Sequence, residues 1–185
     1  MKLHLGCGKR YLKGFIHIDI ASYPHIDFQS SVDNLSFIKN ESVSEIYTSH
    51  TLEYFDRTEA ESVLREWSRV LIPSGQLFIT VPDFDKLIEI YKATNNLVNI
   101  LGPIYGKWEV SGRINPIFHK TIWNERDLIN KLKELNFDKV KSFNPKSYLS
   151  VIDPTYDDYS LAYFPHLDSN GIQVSLAISA SKPFS

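Results

Sequence analysis

The first twenty residues, MKLHLGCGKRYLKGFIHIDI (residues 1–20), decide the fold. The polar and apolar alternation over Lys2–Leu5 predicts a strand, and the β-branched run over residues 15–20 predicts a second. In the loop between them, Gly6 and Gly8 can adopt backbone angles closed to other residues and let a ligand approach the main chain. Asp19 ends the second strand with a carboxylate that can accept hydrogen bonds from both hydroxyls of a ribose. Because ligands of open parallel sheets bind at the carboxyl ends of strands, the pattern predicts a site for an adenosine-bearing cofactor.

The spacing of these residues argues against a dinucleotide site. A dinucleotide fingerprint needs a third glycine and an acid about 20 residues further on. Here Lys9, Arg10 and Tyr11 follow the second glycine, and Asp19 comes thirteen residues after Gly6. An NAD-dependent oxidoreductase is therefore the weaker alternative. Taken alone, the loop also fits an ordinary strand-to-loop turn followed by a surface aspartate.

The remaining chain alternates strand and helix patterns. Strands are predicted near residues 25–28, 44–49, 75–81, 139–143 and 173–181, and helices over residues 57–71, 84–100 and from the N-cap Asn124 through Leu135. Thr58 and Glu61 form a plausible capping box for the first helix. A strand–helix–strand order implies parallel strands with a right-handed crossover. The prediction is a three-layer α/β fold with a mostly parallel sheet, in which the last two strands form an antiparallel pair on one edge.

The composition limits the class of protein. The 185 residues, 43% of them hydrophobic, suit one domain spanning residues 1–185. A net charge of −2 provides no basic excess for a phosphate backbone, so nucleic acid is not expected as a partner. The single Cys7 cannot form an internal disulfide, and no signal-peptide pattern opens the chain, so a cytoplasmic location is predicted. No apolar run approaches the roughly 18 residues that a membrane span needs.

Three segments in order carry a resemblance to a known family. They are the loop LGCG, the stretch SHTLEYF (residues 49–55) and the stretch VLIPSGQLFITVPDF (residues 70–84). Together they resemble the class I S-adenosylmethionine-dependent methyltransferases, especially small enzymes of methyltransferase type 11. The resemblance covers roughly residues 2–83, and more loosely residues 118–137. It implies the three-layer Rossmann-like methyltransferase fold, with S-adenosylmethionine as the cofactor and methyl transfer as the reaction.

The resemblance also implies a set of binding residues. The glycine loop would pack against the methionine part of the cofactor, and Asp19 would bind the ribose. A segment after the third strand would flank the adenine, although its aspartate could as easily cap a turn, and the end of the fourth strand would line the methyl side. The implied cofactor-binding residues are Gly6, Cys7, Gly8, Asp19, Asp33, Asn34, Leu35, Ser49, His50 and Leu52. Glu53 would either belong to this signature or cap and brace the following turn.

The sequence departs from the family pattern in several places. Tyr54 stands where the signature has its second histidine, and Ser74 replaces the first glycine of a P-G-G turn. The usual helix between the first two strands has almost no room. Helices that cover the substrate at the N-terminus of related enzymes are missing, so a lid would come from residues 102–123, residues 145–170 or another chain. A homo-oligomer is therefore plausible.

The chemistry of methyl transfer suggests candidate catalytic residues. Holding donor and acceptor in line can supply ~7–11 kcal/mol of the acceleration. A hydroxyl acceptor also needs a general base, for which His50 and His119 are the candidates. Alternatively, His50 only shapes the pocket and His119 only anchors its loop through a backbone carbonyl. His17 and Asp19 have a spacing that two metal ligands could use, but no further ligand is evident, so no metal is predicted.

The acceptor is predicted only by class. The tyrosines between residues 148 and 163 could pack in the core, or could stack against a planar or pyranose ring. A small-molecule or carbohydrate-linked acceptor is the leading expectation. A non-catalytic nucleoside-binding or scaffold domain of the same fold is the alternative that the altered Tyr54 and Ser74 positions leave open.

Overall fold

The computed structural model describes residues 1–110, 114–165 and 170–184. In this part of the chain the strands are β1 Lys2–Leu5, β2 Ile16–Asp19, β3 Phe28–Gln29, β4 Val43–Ser49, β5 Leu71–Pro82, β6 Asp138–Ser142, β7 Tyr163–Phe164, β8 Ile172–Gln173 and β9 Ser175–Ser181. The helices are α1 Arg57–Val70, α2 Phe84–Thr94, α3 Val98–Tyr105, α4 Glu125–Glu134 and α5 Pro145–Ile152, with 3₁₀ turns at Leu52–Tyr54 and Tyr159–Leu161. No helix in these ranges is long and apolar enough to cross a membrane.

The main sheet has the strand order β3-β2-β1-β4-β5-β9-β6. The first five strands of this order run parallel to one another, while β9 runs antiparallel to both β5 and β6. The predicted parallel sheet with an antiparallel pair at one edge is therefore confirmed. The strand that runs against the others is β9, and it lies one place in from the edge strand β6.

One face of the sheet carries the larger core. The apolar face of α1 is buried as its periodicity predicted, with Trp67 at its centre. It packs with Leu128 and Leu132 of α4 against strand residues such as Leu3 and Leu5. Successive strand residues point to opposite faces, so His4, between those two leucines, points to the other side.

The second face is covered without a helix between β1 and β2. Residues 6–15 form turns, as the short spacing predicted, and contribute Leu12 and Phe15 to a smaller aromatic core. Leu149 of α5 and Tyr47 of β4 complete that core. Helices on one face and α5 on the other confirm the predicted three-layer α/β fold.

Two local predictions about helices were wrong. The capping box of α1 consists of Asp56 and Glu59 rather than Thr58 and Glu61: the Asp56 carboxylate accepts from the Thr58 and Glu59 amides, and the Glu59 carboxylate accepts from the Asp56 amide. The single helix predicted over residues 84–100 is divided, because Asn95 adopts a left-handed conformation that ends α2. Helix α3 then continues to Tyr105, beyond residue 100, where the predicted helix ended.

A cap covers the carboxyl ends of the parallel strands. We use this name for α2, α3 and the β7–β8 hairpin, which share a small core that includes Leu87, Ile90, Ile100 and Val174. Only part of the cap lies in the segments from which a lid was expected: the end of α3 falls within residues 102–123 and β7 within residues 145–170, whereas α2, the start of α3 and β8 lie outside them. Residues 111–113 and 166–169 of those segments lie outside the described residues.

Candidate active site

The glycine loop is held by the protein's own packing on one side and open on the other. Gly6 and Gly8 both have positive φ angles, +64° and +55°. A Cβ at Gly6 would stand 2.2 Å from Thr51 Oγ1, so a threonine side chain fills the space beside this glycine. A Cβ at Gly8 would meet only the Trp108 ring, at 3.8 Å. Gly8 is therefore the position of the loop that leaves room for a ligand.

Asp19 connects the end of β2 to the glycine loop. Its carboxylate accepts hydrogen bonds from the Gly8 amide at 2.8 Å and from the Ala21 amide at 2.7 Å. Burial raises the pKa of this carboxyl group, and the two backbone hydrogen bonds oppose that rise. Each carboxylate oxygen retains a further lone pair, so the group can still accept from a ligand. The bracing of the loop by Asp19 was not predicted, since no local pattern signals a contact between these two residues.

Two cavities meet beside this loop. The small cavity, about 60 Å³, is lined by Asp19, Ile20, Ser31 and Val32 among others. The large cavity, about 770 Å³, lies between the strand ends and the cap and falls within the roughly 300–1,000 Å³ of ordinary ligand pockets. The residues that line both cavities are Gly6, His50, Tyr54 and Trp108.

Only some of the predicted cofactor-binding residues line these two cavities. Besides Gly6, Gly8, Asp19 and His50, the lining includes Cys7 and Ser49. The other four predicted residues line neither cavity: Asp33 and Asn34 are exposed, and Leu35 and Leu52 lie in the larger core.

The segment after β3 reaches the small cavity through earlier residues than the resemblance implied. Ser31 and Val32 are the ones that line it. Val32, Leu35 and Ile38 are all buried in the larger core, and the Leu35 amide donates to the Glu66 carboxylate of α1 at 2.9 Å. The apolar spacing of three residues was the available signal that Leu35 faces the core.

His50 follows the end of β4 with a positive φ of 53°. Its Nε2 atom lies 2.7 Å from the Ser175 hydroxyl, which is itself 2.6 Å from the Tyr159 carbonyl oxygen. The carbonyl can only accept, so the single hydroxyl proton goes to Tyr159 and the Nε2 atom of His50 must donate. The other ring nitrogen, Nδ1, lies 3.2 Å from Glu53 Oε1.

His119 reaches the same carboxyl group from the loop before α4. Its Nδ1–H donates to the Pro103 carbonyl at 2.9 Å, so this histidine does anchor its loop as one alternative foresaw. Its Nε2 atom lies 3.8 Å from Glu53 Oε1, and its ring stands edge-on to Tyr54. Burial lowers the pKa of His119, against the opposing effect of the Glu53 charge. Both predicted base candidates thus line the large cavity.

The other candidate residues are engaged structurally. Burial raises the pKa of the Cys7 thiol, which favours a protonated and unreactive side chain. The Nε2 atom of His17 accepts from the Leu12 amide, and its Nδ1 atom faces Asp27 at 3.3 Å. Among the described residues, no group of three or more histidine, cysteine, aspartate or glutamate side chains is arranged to hold a metal ion.

The tyrosines of residues 148–163 divide between core and cavity. Tyr148 stacks on Phe78 in the core, with ring centroids 4.2 Å apart. The large cavity is instead lined by Tyr156, Tyr159 and Tyr163. Lys9, Arg10 and Lys107 also lie along it, with Lys107 paired to the Glu109 carboxylate, and so does the buried Asp158. The cavity therefore combines aromatic surfaces with charged groups of both signs.

Comparisons with known proteins bear on this arrangement. Residues 10–79 match the family model of the methyltransferase domain. No curated protein matches the sequence. A search of solved structures finds the same fold in an S-adenosylmethionine-dependent methyltransferase of Methanosarcina mazei, with a TM-score of 0.57, 16% identity, and coverage of 100% of this chain and 92% of that one.

Two further solved structures share the fold. A methyltransferase of Archaeoglobus fulgidus has a TM-score of 0.56 and 16% identity, covering 98% of this chain and 85% of that one. The 1,6-didemethyltoxoflavin-N1-methyltransferase of Burkholderia thailandensis, with S-adenosylhomocysteine bound, has a TM-score of 0.53 and 13% identity, covering 98% and 70%. These findings agree with the predicted resemblance: the chain has the fold of the S-adenosylmethionine-dependent methyltransferases along its length, and residues 10–79 match the model of the methyltransferase domain.

Proposed function

We propose that the small cavity and the glycine loop hold S-adenosylmethionine, and that the large cavity receives a small-molecule or glycan-linked methyl acceptor. The observation that carries this proposal is the shared lining of the two cavities. Gly6, His50, Tyr54 and Trp108 border both, so a donor in one cavity and an acceptor in the other would meet beside His50. The Burkholderia thailandensis structure, with 1,6-didemethyltoxoflavin and S-adenosylhomocysteine bound together, supports adjacent sites of this kind.

The residues around the small cavity fit the nucleoside half of this cofactor. Asp19 has spare lone pairs for the ribose hydroxyls, and Ile20 and Val32 offer apolar surface to the adenine. The volume of about 60 Å³ is far below that of ordinary ligand pockets, so the Trp108 and Tyr54 side chains must shift to admit the base. When bound, S-adenosylmethionine supplies a methyl group on a positively charged sulfur, and the protein's main task is to align the acceptor with it.

The lining of the large cavity supports a planar or ring-shaped acceptor. The aromatic rings of Tyr156, Tyr159 and Trp108 provide stacking surfaces, and the ring of Tyr159 already lies against the Arg10 guanidinium at 5.2 Å. Of the charged groups along this cavity, Lys9 and Arg10 form no ion pair among the described residues, and they would favour an acceptor that carries negative charge. A sugar or small aromatic compound with an acidic substituent matches both features.

For a hydroxyl acceptor, His119 is the better base candidate. The Nε2 atom of His50 carries a proton that it donates to Ser175, so it cannot accept another. The Nε2 atom of His119 makes no hydrogen bond in the part of the chain that the structure describes, and its side chain lines the cavity. The acceptor proton would pass to this nitrogen, leaving the electron pair on the attacking oxygen.

The proposal also covers the domain organisation, the location and the partners of the protein. We propose that residues 1–185 act as a single methyltransferase-like domain in the cytoplasm, with no nucleic acid partner. A homo-oligomer is compatible with it, because a second copy could add to the cover of the large cavity.

Calorimetric titration tests the proposal before any acceptor is known. Binding of S-adenosylmethionine and S-adenosylhomocysteine with no heat from NAD is the expected result. Tight NAD binding would instead support the oxidoreductase alternative. Cofactor binding without methyl transfer to any of a panel of anionic phenols and sugar acids would favour the non-catalytic nucleoside-binding domain.

A further inference from the structure

Glu53 is the buried charged group that the proposed function leaves unexplained. Its side chain is 0% exposed, and neither carboxylate oxygen has a hydrogen bond of good geometry among the described residues. Its backbone carbonyl accepts from the Lys120 and Thr121 amides, which accounts for the turn but not for the side chain. An ionised carboxylate is costly to bury without a donor, so the surroundings of this group need an explanation.

Two histidine nitrogens face the same oxygen of Glu53. The Oε1 atom lies 3.2 Å from His50 Nδ1 and 3.8 Å from His119 Nε2. The remote nitrogen of each ring already carries a proton, because it donates to Ser175 in one case and to Pro103 in the other. In neutral rings, both facing nitrogens would therefore present lone pairs to the carboxyl group.

Electrostatic repulsion disfavours both zero and two added protons on the group formed by His50, Glu53 and His119. With no added proton, an ionised carboxylate would face two lone pairs inside the protein. With two added protons, two imidazolium rings would share one buried carboxylate and leave a net positive charge. One added proton gives a neutral group, whether the proton sits on Glu53 or on either ring.

Among the described residues, the other polar side chains near Glu53 do not pair with its carboxylate. Tyr54, on the same turn, donates its hydroxyl proton to the Gly106 carbonyl. The Lys120 ammonium is paired with the Glu59 carboxylate. Tyr159 contributes a ring 5.7 Å from that of His50. In the described ranges, the two histidines are the side chains within ion-pair distance of the Glu53 carboxyl group.

We infer that His50, Glu53 and His119 share one proton, and that Glu53 is a positioning residue that lets the pair of histidines take up the proton of the methyl acceptor. The second part rests on the proposed function. When the acceptor O–H bond breaks, its electron pair stays on oxygen and its proton becomes the second one in the group. Glu53 is then an ionised carboxylate between two imidazolium rings, and its negative charge stabilises that state.

Nuclear magnetic resonance of the free protein tests the shared proton. With ¹⁵N-labelled histidine and ¹³C-labelled glutamate at pH 7, the shifts of His50 Nδ1, His119 Nε2 and the Glu53 carboxyl carbon report which of the three sites is protonated. The expected total is one proton. A total of zero or of two overturns the inference, and this measurement requires no variant and no turnover.

A Glu53→Gln variant extends the test to the role of the carboxylate. Without the negative charge, neither facing nitrogen should be protonated at pH 7, whereas Glu61→Gln on the exposed face of α1 should leave the histidine signals unchanged. A facing nitrogen that stays protonated in Glu53→Gln overturns the inference.

Measurements of methyl transfer distinguish the positioning role of Glu53 from the proposed function of the protein. With a hydroxyl acceptor, Glu53→Gln should bind S-adenosylmethionine normally, lose about a hundredfold in kcat, and rise to full activity at lower pH, because the imidazoles hold a proton less firmly. Glu53→Asp should recover part of the rate. An unchanged pH profile in a folded Glu53→Gln variant overturns the positioning role. If no acceptor is ever methylated, the proposed function fails while the proton count still stands.

Discussion

The Asp19 carboxylate accepts a 2.8 Å hydrogen bond from the amide of Gly8. This contact joins the end of β2 to the loop after β1, so one buried acid both shapes the glycine loop and faces the small cavity. Loop geometry and the proposed ribose binding therefore involve the same side chain. A substitution at this position should change both the stability of the protein and its affinity for the cofactor.

The Asp19→Ala substitution tests this double role. It leaves the Gly8 and Ala21 amides without their acceptor, which should cost about 1–3 kcal/mol of unfolding free energy. Calorimetry should show no measurable S-adenosylmethionine binding. Asp33→Ala is the matched control, since Asp33 is exposed and lines neither cavity, and it should bind as the parent does. Equal loss of affinity in the two variants would contradict the placement seen in the structure.

Gly106→Ala should displace His119. A Cβ at this position would stand 1.9 Å from His119 Nε2, and the backbone has a φ of +51° that disfavours alanine. We expect a loss of about 1–3 kcal/mol of stability, at least a tenfold fall in kcat, and nearly unchanged cofactor affinity. Gly102→Ala provides the comparison for stability: no atom lies within 4 Å of its Cβ, which borders the large cavity, and the substitution within α3 should stabilise the fold by ~0.5–1 kcal/mol. Full turnover by Gly106→Ala would argue against His119 as the base.

Tyr47→Phe should weaken the wall of the large cavity. The Tyr47 hydroxyl donates to Asp158 Oδ2 at 2.6 Å in a buried setting, and its removal leaves that oxygen without the donor. Urea denaturation should show a loss of about 2–3 kcal/mol. Because Tyr159 follows Asp158 directly, the KM for the acceptor should rise while cofactor affinity stays the same. Tyr91→Phe, at an exposed position on α2, should alter neither quantity.

Trp108 should report cofactor binding by fluorescence. Trp67 and Trp123 are fully buried in the core, whereas Trp108 lies over Gly8 and borders both cavities. Adding S-adenosylhomocysteine should therefore change the emission of the native protein. The Trp108→Phe variant should bind with less than a tenfold change in affinity and lose the emission change. A signal of undiminished size in that variant would mean that the ligand binds away from Trp108.

Stability should fall as the pH drops below about 6.5. Burial lowers the pKa of His4 well below its ordinary value, and it also lowers the pKa of His17. The unfolded chain then binds protons that the folded chain does not, so the stability present above pH 6.5 is lost as the pH falls. Each such histidine contributes up to about 1.4 kcal/mol per pH unit.

Urea denaturation of the native protein and of a His4→Phe variant at pH 7.5 and 5.5 measures this contribution. Phenylalanine fits the aromatic surroundings of His4, formed by Tyr47 and Tyr156, and does not titrate. The loss of stability between the two pH values should be smaller in the variant. An identical loss would show that His4 is protonated in the folded state.

Several elements could be predicted from the sequence because their causes are local. The helix from Arg57 follows from the period of its apolar residues, and the strand before Gly6 follows from its alternation. The short turn between β1 and β2 follows from the few residues available. The capping box was misplaced by two residues, because several neighbouring side chains can cap and only the start of the helix decides between them.

The site itself was determined by the sequence only in part. The sequence was enough to name the residues at the carboxyl ends of the strands that line the two cavities, since each sits in or close after a strand: Gly6, Cys7, Gly8, Asp19, Ser49 and His50. Only the tertiary structure decided that Ser31 and Val32 replace Asp33 and Leu35 at the small cavity, and that His119 and His50 meet at one carboxyl group. The physical reason is range: backbone angles and periodicity are set by neighbours in sequence, whereas these contacts depend on how α1, the cap and the sheet pack together.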